Sequence, residues 1–298
     1  MSIFLEVILP IVSIFVLGYI LQRIRQLDVR SVSAVTIYIF VPALVFETFY
    51  TQDLSGDFST IVLMAFIILF SMIFINKILA LIFKWDRSVE SGMILSNAFM
   101  NAGNYGAPVV LFALGEEAFI YAVLFMSIQT IQMNFFGVYY ASRGVSGMKH
   151  ALLAVMKMPA TYTMLAAFLL KGLNIELAAP AMDIVSFLAA VAIPLMMVVL
   201  GMQLANIVFR EFEVGKVVLS STLRLIISPL VTWVFVLLIP MPDLMGKVMI
   251  ILSAMPTAAT TTMFALEFRA RPDLVSSITL VTTVLSIFTI SGLLWILT

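Results

Sequence analysis

Two short polar stretches interrupt apolar parts of the chain, at residues 97–108 and 254–263. The first reads NAFMNAGNYGAP, and its three asparagines are spaced by four and three residues, which places them on one face of a helix. The second reads AMPTAATTTM and is rich in threonine. Amides and hydroxyls both donate and accept hydrogen bonds, so within a membrane they can bind a polar solute. The candidate substrate-binding residues are Asn97, Asn101, Asn104, Thr257, Thr260 and Thr261.

The same two stretches contain residues that interrupt helices. Proline lacks a backbone donor and clashes with the preceding turn. Unwound backbone is tolerated at membrane depth only where it lines a cavity or is buried in protein, and paired breaks in two halves of a chain indicate the substrate site of a secondary transporter. The alternative is that the asparagines only satisfy the broken backbone or bond to a neighbouring helix. The expected helix-break residues are Gly103, Gly106, Pro108 and Pro256.

Charge near the breaks favours an anionic solute. Half-helices that begin at the two breaks would point their amino ends, each carrying about half a positive charge, at one shared volume. No lysine, arginine or carboxylate is near either break in the sequence. We therefore expect a small anionic or zwitterionic solute rather than a cation. Arg224, a few turns inside the eighth predicted helix, is expected to extend its side chain to the cytoplasmic surface.

Polar side chains elsewhere leave two interpretations open. Five amides could line a path for the solute or form hydrogen bonds between helices, namely Gln129, Gln132, Asn134, Gln203 and Asn206. Sodium coupling, proton coupling and uncoupled transport are all alternatives. The candidate ion-binding residues are Ser96 and Gln129, whereas a buried carboxylate of the kind that carries a proton is lacking.

Composition identifies the class of protein. Of the 298 residues, 63% are hydrophobic and 11% are charged, against about 25% charged residues in soluble domains. We therefore expect an all-α integral membrane protein that is surrounded by the lipid bilayer. Zero net charge gives no electrostatic footprint for nucleic acid, and the absence of cysteine excludes disulfides and cysteine metal sites. We expect no catalytic residues, no metal and no cofactor.

Ten hydrophobic runs are long enough to cross a bilayer as helices, which takes about 20 residues. These predicted spans lie at about 3–22, 31–50, 59–83, 90–113, 117–141, 151–171, 181–206, 214–239, 246–267 and 273–297. Lysine and arginine cluster after the odd-numbered spans. The positive-inside rule therefore predicts cytoplasmic odd-numbered loops, and it predicts that both termini lie on the outer face of the cell (inner) membrane.

The two halves of the chain resemble each other. Prolines recur at corresponding places in the same order, at Pro10, Pro42, Pro159 and Pro194. The phrase FALGEEA after the first break matches FALEFRA after the second. Five spans per half reverse the membrane orientation, so halves 1–146 and 147–298 would form an inverted repeat within one integral membrane unit. Spans four and nine would then be the broken helices.

Three phrases together resemble the auxin efflux carrier family over all ten spans: NAGNYGAPVVLFALGEEA, AMPTAATTTMFALEFRARPDLVSS and IPLMMVVLGMQLA. The chain is similar to the short bacterial members. The resemblance implies a fold like that of bile-acid sodium symporters and sodium/proton antiporters, with a scaffold from helices one, two, six and seven and a transport domain from helices three to five and eight to ten. It also implies that helices four and nine cross at the substrate site, where Asn101 would face the substrate.

The expected function is that of a secondary transporter of a small organic anion. The resemblance to bacterial members implies a mono- or dicarboxylate of the malonate or malate type. One alternative is a ligand sensor on a transporter fold, and another is a sodium-coupled carrier of a different anionic or zwitterionic solute. The chain could also form a homodimer through the scaffold helices, and the sequence leaves this open. An intramembrane enzyme would need a catalytic pair within the helices, which the sequence lacks.

Overall fold

The structure of the protein, a computed structural model, describes residues 4–52, 57–142, 159–207 and 213–298. Within these residues the elements are helices and no β-strand occurs, which confirms the all-α expectation. The predicted loop five, the start of span six and the boundary between the two halves lie outside the described residues.

The described helices are numbered in chain order. They are α1 (Phe4–Arg25), α2 (Val29–Thr51), α3 (Asp57–Ile82), α4 (Arg87–Ala98), α5 (Ala102–Ala141), α6 (Pro159–Gly172), α7 (Ala179–Ala205), α8 (Val214–Leu238), α9 (Asp243–Ser253), α10 (Ala259–Glu267) and α11 (Pro272–Leu297). Helix α5 bends sharply at Gly115, whose φ of 83° lies in the region that favours glycine. This bend separates the end of predicted span four from span five.

Seven of the described helices are long and apolar enough to cross a membrane: α1, α2, α3, α5, α7, α8 and α11. They correspond to predicted spans one, two, three, five, seven, eight and ten. Spans four and nine are divided by their breaks into shorter helices, and only residues 159–172 of span six are described as helix. Seven candidate spans are therefore shown, and the count of ten stays a prediction.

Wide turns allow several helices to continue past a proline. π-helical turns at Phe4–Ile8, Thr36–Phe40, Ala102–Gly106 and Leu223–Ile227 each end two residues before a proline. A proline ring clashes with the carbonyl four residues earlier, which in each case belongs to the middle residue of the π turn. Widening the turn relieves this clash, and such turns are frequent at functional sites.

Helices α1 and α7 make the most extensive contact among the described helices. A Cβ atom on Gly18 would overlap the carbonyl oxygen of Val198, and one on Gly201 would overlap the carbonyl oxygen of Phe15. The two glycines therefore permit direct contact between the two backbones. Helix α2 packs on both α6 and α7, so α1, α2, α6 and α7 form one contiguous group.

The remaining helices form a second group. Helix α3 contacts α4, α5 and α8, while α9 packs on α5 and α8. Helix α11 contacts α4, α8, α9 and α10. The two helix groups meet mainly at α5, which contacts α1, α2 and α7, and most of the contact with α7 is at the first turn of α5. This junction places both interrupted stretches beside α7.

Candidate functional site

The two interrupted stretches lie directly against each other. Residues 99–101 are unwound between α4 and α5, and residues 254–258 are unwound between α9 and α10. Met100 and Thr257 face each other in an isolated antiparallel β-bridge. Two stretches about 150 residues apart in the chain therefore form one structural unit, the paired breaks.

Hydrogen bonds across the bridge satisfy the unwound backbone. The N–H of Asn101 donates to the carbonyl of Pro256 at 2.8 Å, and the N–H of Ala258 donates to the carbonyl of Phe99 at 3.0 Å. Buried backbone groups without hydrogen-bond partners cost free energy, and inside a membrane no water is present to take the place of a missing partner. Each break thus supplies the partners that the other needs.

Side chains complete the paired breaks. The Thr257 hydroxyl donates to the carbonyl of Ser96 at 2.7 Å, and Gln129 Nε2 donates to the carbonyl of Met100 at 2.8 Å. The Thr261 hydroxyl donates to Ala258 within the first turn of α10, at 2.7 Å. The candidate ion-binding residues thus take part through the carbonyl of Ser96 and the amide of Gln129, while the Ser96 hydroxyl donates to the carbonyl of Gly92 at 2.8 Å.

A cavity of about 1180 Å³ lies between the two helix groups. Residues of α2 and α7 line one side, and residues of α5, α10 and α11 line the other. Five of the predicted site residues line it: Asn101, Gly103, Asn104, Gln129 and Thr260. Four of the five amides with two open interpretations line it, namely Gln129, Asn134, Gln203 and Asn206. Asn206 Oδ1 also accepts a hydrogen bond from Gln22 Nε2 of α1 at 3.2 Å, and Gln129 is bonded to Met100. The structure therefore favours the path interpretation for Asn134 and Gln203.

Asn101 brings an unpartnered donor to the cavity wall. Its side chain is 5% exposed, and its Nδ2 has no hydrogen-bond partner. Residues 102–104 at the start of α5 line the cavity around it, as do Ala258 and the first two residues of α10. The first amides of a helix lack partners within the helix and carry partial positive charge. An amide donor beside two helix amino ends is suited to the oxygen atoms of an anion.

Charged residues line the cavity at one end only, among the residues that the structure describes. They are Arg30 at the start of α2, Glu267 at the end of α10 and Asp273 at the start of α11. These positions flank predicted loops one and nine. The cavity therefore extends from the paired breaks to the face of the protein that the positive-inside rule predicts to be cytoplasmic.

An ion-pair cluster lies at the same face. Glu213, directly before α8, pairs with Lys216 and with Arg271, which precedes α11. Partial burial raises the pKa of Glu213, but the hydrogen bond from Lys216 and the charge of Arg271 together lower that pKa below its usual range. The carboxylate is therefore charged in neutral solution, and it connects the start of α8 to the start of α11.

Three predicted substrate-binding residues do not reach the cavity. Asn97, Thr257 and Thr261 are each fully buried, and none of them lines the cavity. Asn97 Nδ2 donates to Asn76 Oδ1 at 2.8 Å, and the Ser220 hydroxyl donates to Asn97 Oδ1 at 2.5 Å. These contacts match the alternative interpretation, in which an asparagine forms hydrogen bonds to a neighbouring helix. A direct contact between these three residues and a substrate stays a prediction.

The expected helix-break residues have different roles. Pro256 lies within the unwound segment, whereas Pro108 lies inside α5, where the preceding π turn lets the helix continue. A Cβ on Gly103 would lie 2.8 Å from Met196 Cε, and one on Gly106 would lie 2.7 Å from a Leu252 methyl carbon. Both glycines therefore allow close packing beside the breaks.

Arg224 is fully buried, so the expectation that it extends to the cytoplasmic surface is wrong. Its guanidinium donates to the carbonyl of Asn97 at 2.5 Å, to the hydroxyl of Ser228 at 2.6 Å and to the carbonyl of Ser253. Arg224 lies 127 residues from Asn97 in the chain, so proximity in sequence does not reveal the contact. A basic side chain therefore does lie beside both breaks.

Sequence reasoning missed several hydroxyls of the cavity wall, namely Ser33, Thr36, Thr130, Thr262 and Ser276. Thr130 is adjacent to Gln129 and one helical turn before Asn134, so a search along one face of span five would have found it. Ser33 and Thr36 are likewise one turn apart in span two. Met196 also lines the cavity, but its side chain is apolar, so the sequence gives no comparable reason to expect it there.

The cavity has a largely apolar lining with hydrogen-bonding side chains beside the paired breaks. Within the described ranges, no group of three or more histidine, cysteine, aspartate or glutamate side chains is placed to hold a metal ion. The polar side chains that line the cavity beside the breaks are amides and hydroxyls, namely Asn101, Asn104, Gln129 and Thr260. Such groups bind a solute by hydrogen bonding.

Comparison with known proteins places the chain in a family. It matches the membrane transport protein family over residues 3–143 and 144–295. The chain belongs to this family. The resemblance to auxin efflux carriers is thereby confirmed.

Several relatives match along almost their whole length. The chain is 30% identical over 295 residues to an uncharacterized transporter of Methanothermobacter thermautotrophicus, covering 95% of this chain and 94% of that protein. It is 24% identical over 304 residues to an uncharacterized transporter of Methanocaldococcus jannaschii, covering 98% of both. A candidate malonate transporter of Rhizobium meliloti is 23% identical over 308 residues, covering 97% of this chain and 94% of that protein. With the apolar helices, these findings establish a multi-pass membrane transporter.

Proposed function

We propose that this family member is a secondary transporter of a small organic anion, a mono- or dicarboxylate of the malonate or malate type. The observation that carries the proposal is the unpartnered Asn101 amide in a cavity lined by the first turns of two half-helices. Carboxylate oxygens accept hydrogen bonds, so they can bind donors that the protein leaves free. The relative named for malonate transport supports the same class of substrate.

Within this proposal, Asn101, Asn104 and Thr260 are the substrate contacts. Asn104 and Thr260 belong to the first turns of α5 and α10, and Asn101 directly precedes α5, so one solute in the cavity can contact both halves of the site. Gln129 acts on the site through the carbonyl of Met100, which its amide holds next to Asn101.

The proposed architecture is a five-plus-five inverted repeat in which helices four and nine cross at the paired breaks. Two helix contacts support it. Helix α1 packs on α7, and α2 packs on α6, as expected if spans one and two correspond to spans six and seven. In this architecture α1, α2, α6 and α7 are the scaffold, and α3–α5 with α8–α11 are the mobile transport domain.

Alternating access would arise from movement of one domain against the other. The cavity lies between the two helix groups, whereas the close contact of Gly18 and Gly201 lies entirely within the scaffold. Movement between the groups can therefore reshape the cavity without separating α1 from α7. With both termini on the outer face of the cell membrane, the cavity described here would open to the cytoplasm.

Uptake by proteoliposomes tests this proposal. We expect saturable uptake of labelled malonate or malate, inhibited by other small carboxylates and strongly reduced by Asn101→Ala. The matched control is Thr51→Ala, because Thr51 is exposed and lies outside the cavity. Transport of cations or neutral solutes without transport of any carboxylate would contradict the proposal.

A further inference from the structure

Arg224 is the largest of the fully buried side chains in the described structure. It lies in the π-helical turn Leu223–Ile227 of α8, beside the paired breaks but outside the lining of the cavity. A buried charge is costly unless it is paired and hydrogen-bonded. No salt bridge to Arg224 occurs among the described residues, and its Nε has no hydrogen-bond partner. The partners of its two terminal nitrogens therefore carry this requirement.

These partners are the carboxyl ends of two half-helices. Asn97 is the second-last residue of α4, and Ser253 is the last residue of α9. The final carbonyls of a helix lack partners within the helix, and each helix end carries about half a negative charge. The guanidinium of Arg224 donates to one such carbonyl from each helix. Two half-charges of negative sign therefore meet one full positive charge.

The contact is part of a larger buried network. The Ser228 hydroxyl accepts from Arg224 and donates to the carbonyl of Ser253 at 2.9 Å. On the other side, Asn97 is held by Ser220 and Asn76. The network joins α3, α4, α8 and α9 at the residues that directly precede both breaks.

We infer that Arg224 is a built-in, non-transported cation that fills the carbonyl site between α4 and α9. In this position it does what a bound sodium ion would do, namely neutralise the two helix ends and hold them together. It is a positioning residue, because it fixes the start of each break and so the placement of Asn101. Substrate movement then needs no sodium ion. This inference deepens the proposed function and rests on it for the identity of the substrate.

Arginine fits this role better than lysine would. Its planar guanidinium carries several donors in a fixed fork, so it can reach carbonyls on two separate helices at once. A lysine ammonium is a point charge on a flexible stem, and it is more strongly hydrated. Arg224→Lys should therefore retain the charge but lose one of the two helix contacts.

Chemical rescue tests the inference without relying on transport. In purified Arg224→Ala, the missing side chain leaves the two carbonyls and the Ser228 hydroxyl as ligands for a free cation. We expect a lowered melting temperature that rises with millimolar guanidinium chloride, well below denaturing concentrations, as mass action requires. Sodium chloride, compared with choline chloride at equal ionic strength, should also raise it. The wild-type melting temperature should respond to neither added cation.

Two results would overturn the inference. One is an Arg224→Ala protein whose stability is not raised by guanidinium or by sodium. The other is a wild-type protein that sodium stabilises relative to choline, and this measurement remains decisive even if the variant does not fold. Arg224→Lys should melt between the wild type and Arg224→Ala and show a weaker response to guanidinium. Rescue without any malonate uptake by the wild type would refute the proposed substrate and leave the role of Arg224 intact.

Discussion

Two asparagines four residues apart should respond in opposite ways to substitution by alanine. Asn101 Nδ2 has no partner in the protein, so Asn101→Ala removes a donor without leaving another group unsatisfied. Asn97 is bonded to both Asn76 and Ser220, so Asn97→Ala leaves two buried polar groups without partners. The first variant should lose substrate affinity, and the second should lose stability.

The magnitudes follow from the contacts of each residue. A hydrogen bond to a charged group contributes about 1.5–3 kcal/mol, so Asn101→Ala should weaken carboxylate binding by roughly 10- to 150-fold. Each buried group left unsatisfied costs about 1–3 kcal/mol, so Asn97→Ala should destabilise the protein by roughly 2–6 kcal/mol. Asn101→Ala should change the stability by less than about 1 kcal/mol.

Both quantities can be measured on the same purified samples. Malonate affinity is obtained by titration calorimetry of the folded protein, and stability is obtained from thermal unfolding in detergent. The reasoning is refuted if Asn97→Ala weakens malonate binding as much as Asn101→Ala does while melting like the wild type. That outcome would place Asn97, and not Asn101, at the substrate.

Three further predictions concern packing, topology and pH. Gly18→Ala and Gly201→Ala should strongly destabilise the protein, because each new methyl group would overlap backbone atoms. Gly292 has open space around it, so Gly292→Ala should be neutral or slightly stabilising in the same thermal assay. Ser88→Cys should be protected from an impermeant maleimide added to intact cells, and Glu176→Cys should be labelled. Labelling of Ser88→Cys without labelling of Glu176→Cys would contradict the predicted topology. The pKa of Glu213 is lowered, so its ion pairs should stabilise the protein at neutral pH by less than about 1 kcal/mol, because the side chains are partly exposed. This contribution should be lost as the pH falls through that pKa, and Glu213→Gln should lack the corresponding acid-dependent change in stability.

The location of the breaks follows from local residue types and could be predicted. Proline, glycine and clustered asparagine or threonine in apolar runs are visible within a dozen residues, and both stretches are indeed unwound and paired. The two stretches meet at the bridge between Met100 and Thr257. Pro108 shows the limit of this reasoning, because a π turn absorbs its clash and moves the break several residues earlier.

Long-range contacts could not be predicted from the sequence. Asn97 does not reach the cavity and Asn101 lies in the cavity wall, although only about one helical turn separates them. The partners of Asn97, namely Asn76 and Ser220, come from other helices. Arg224 is the clearest example. Its position a few turns inside span eight leads to the expectation that the long side chain reaches the cytoplasmic surface. Its burial instead depends on the convergence of α4 and α9, which the sequence does not show.

Substrate protection of a single cysteine tests the central claim most directly, because the natural chain contains no cysteine. Thr260→Cys lies in the cavity wall, and Ser88→Cys is exposed outside it. In inside-out vesicles, malonate or another small carboxylate should slow maleimide labelling of Thr260→Cys in a saturable way and leave labelling of Ser88→Cys unchanged. Equal labelling of Thr260→Cys with and without every carboxylate tested would contradict a substrate site at the paired breaks.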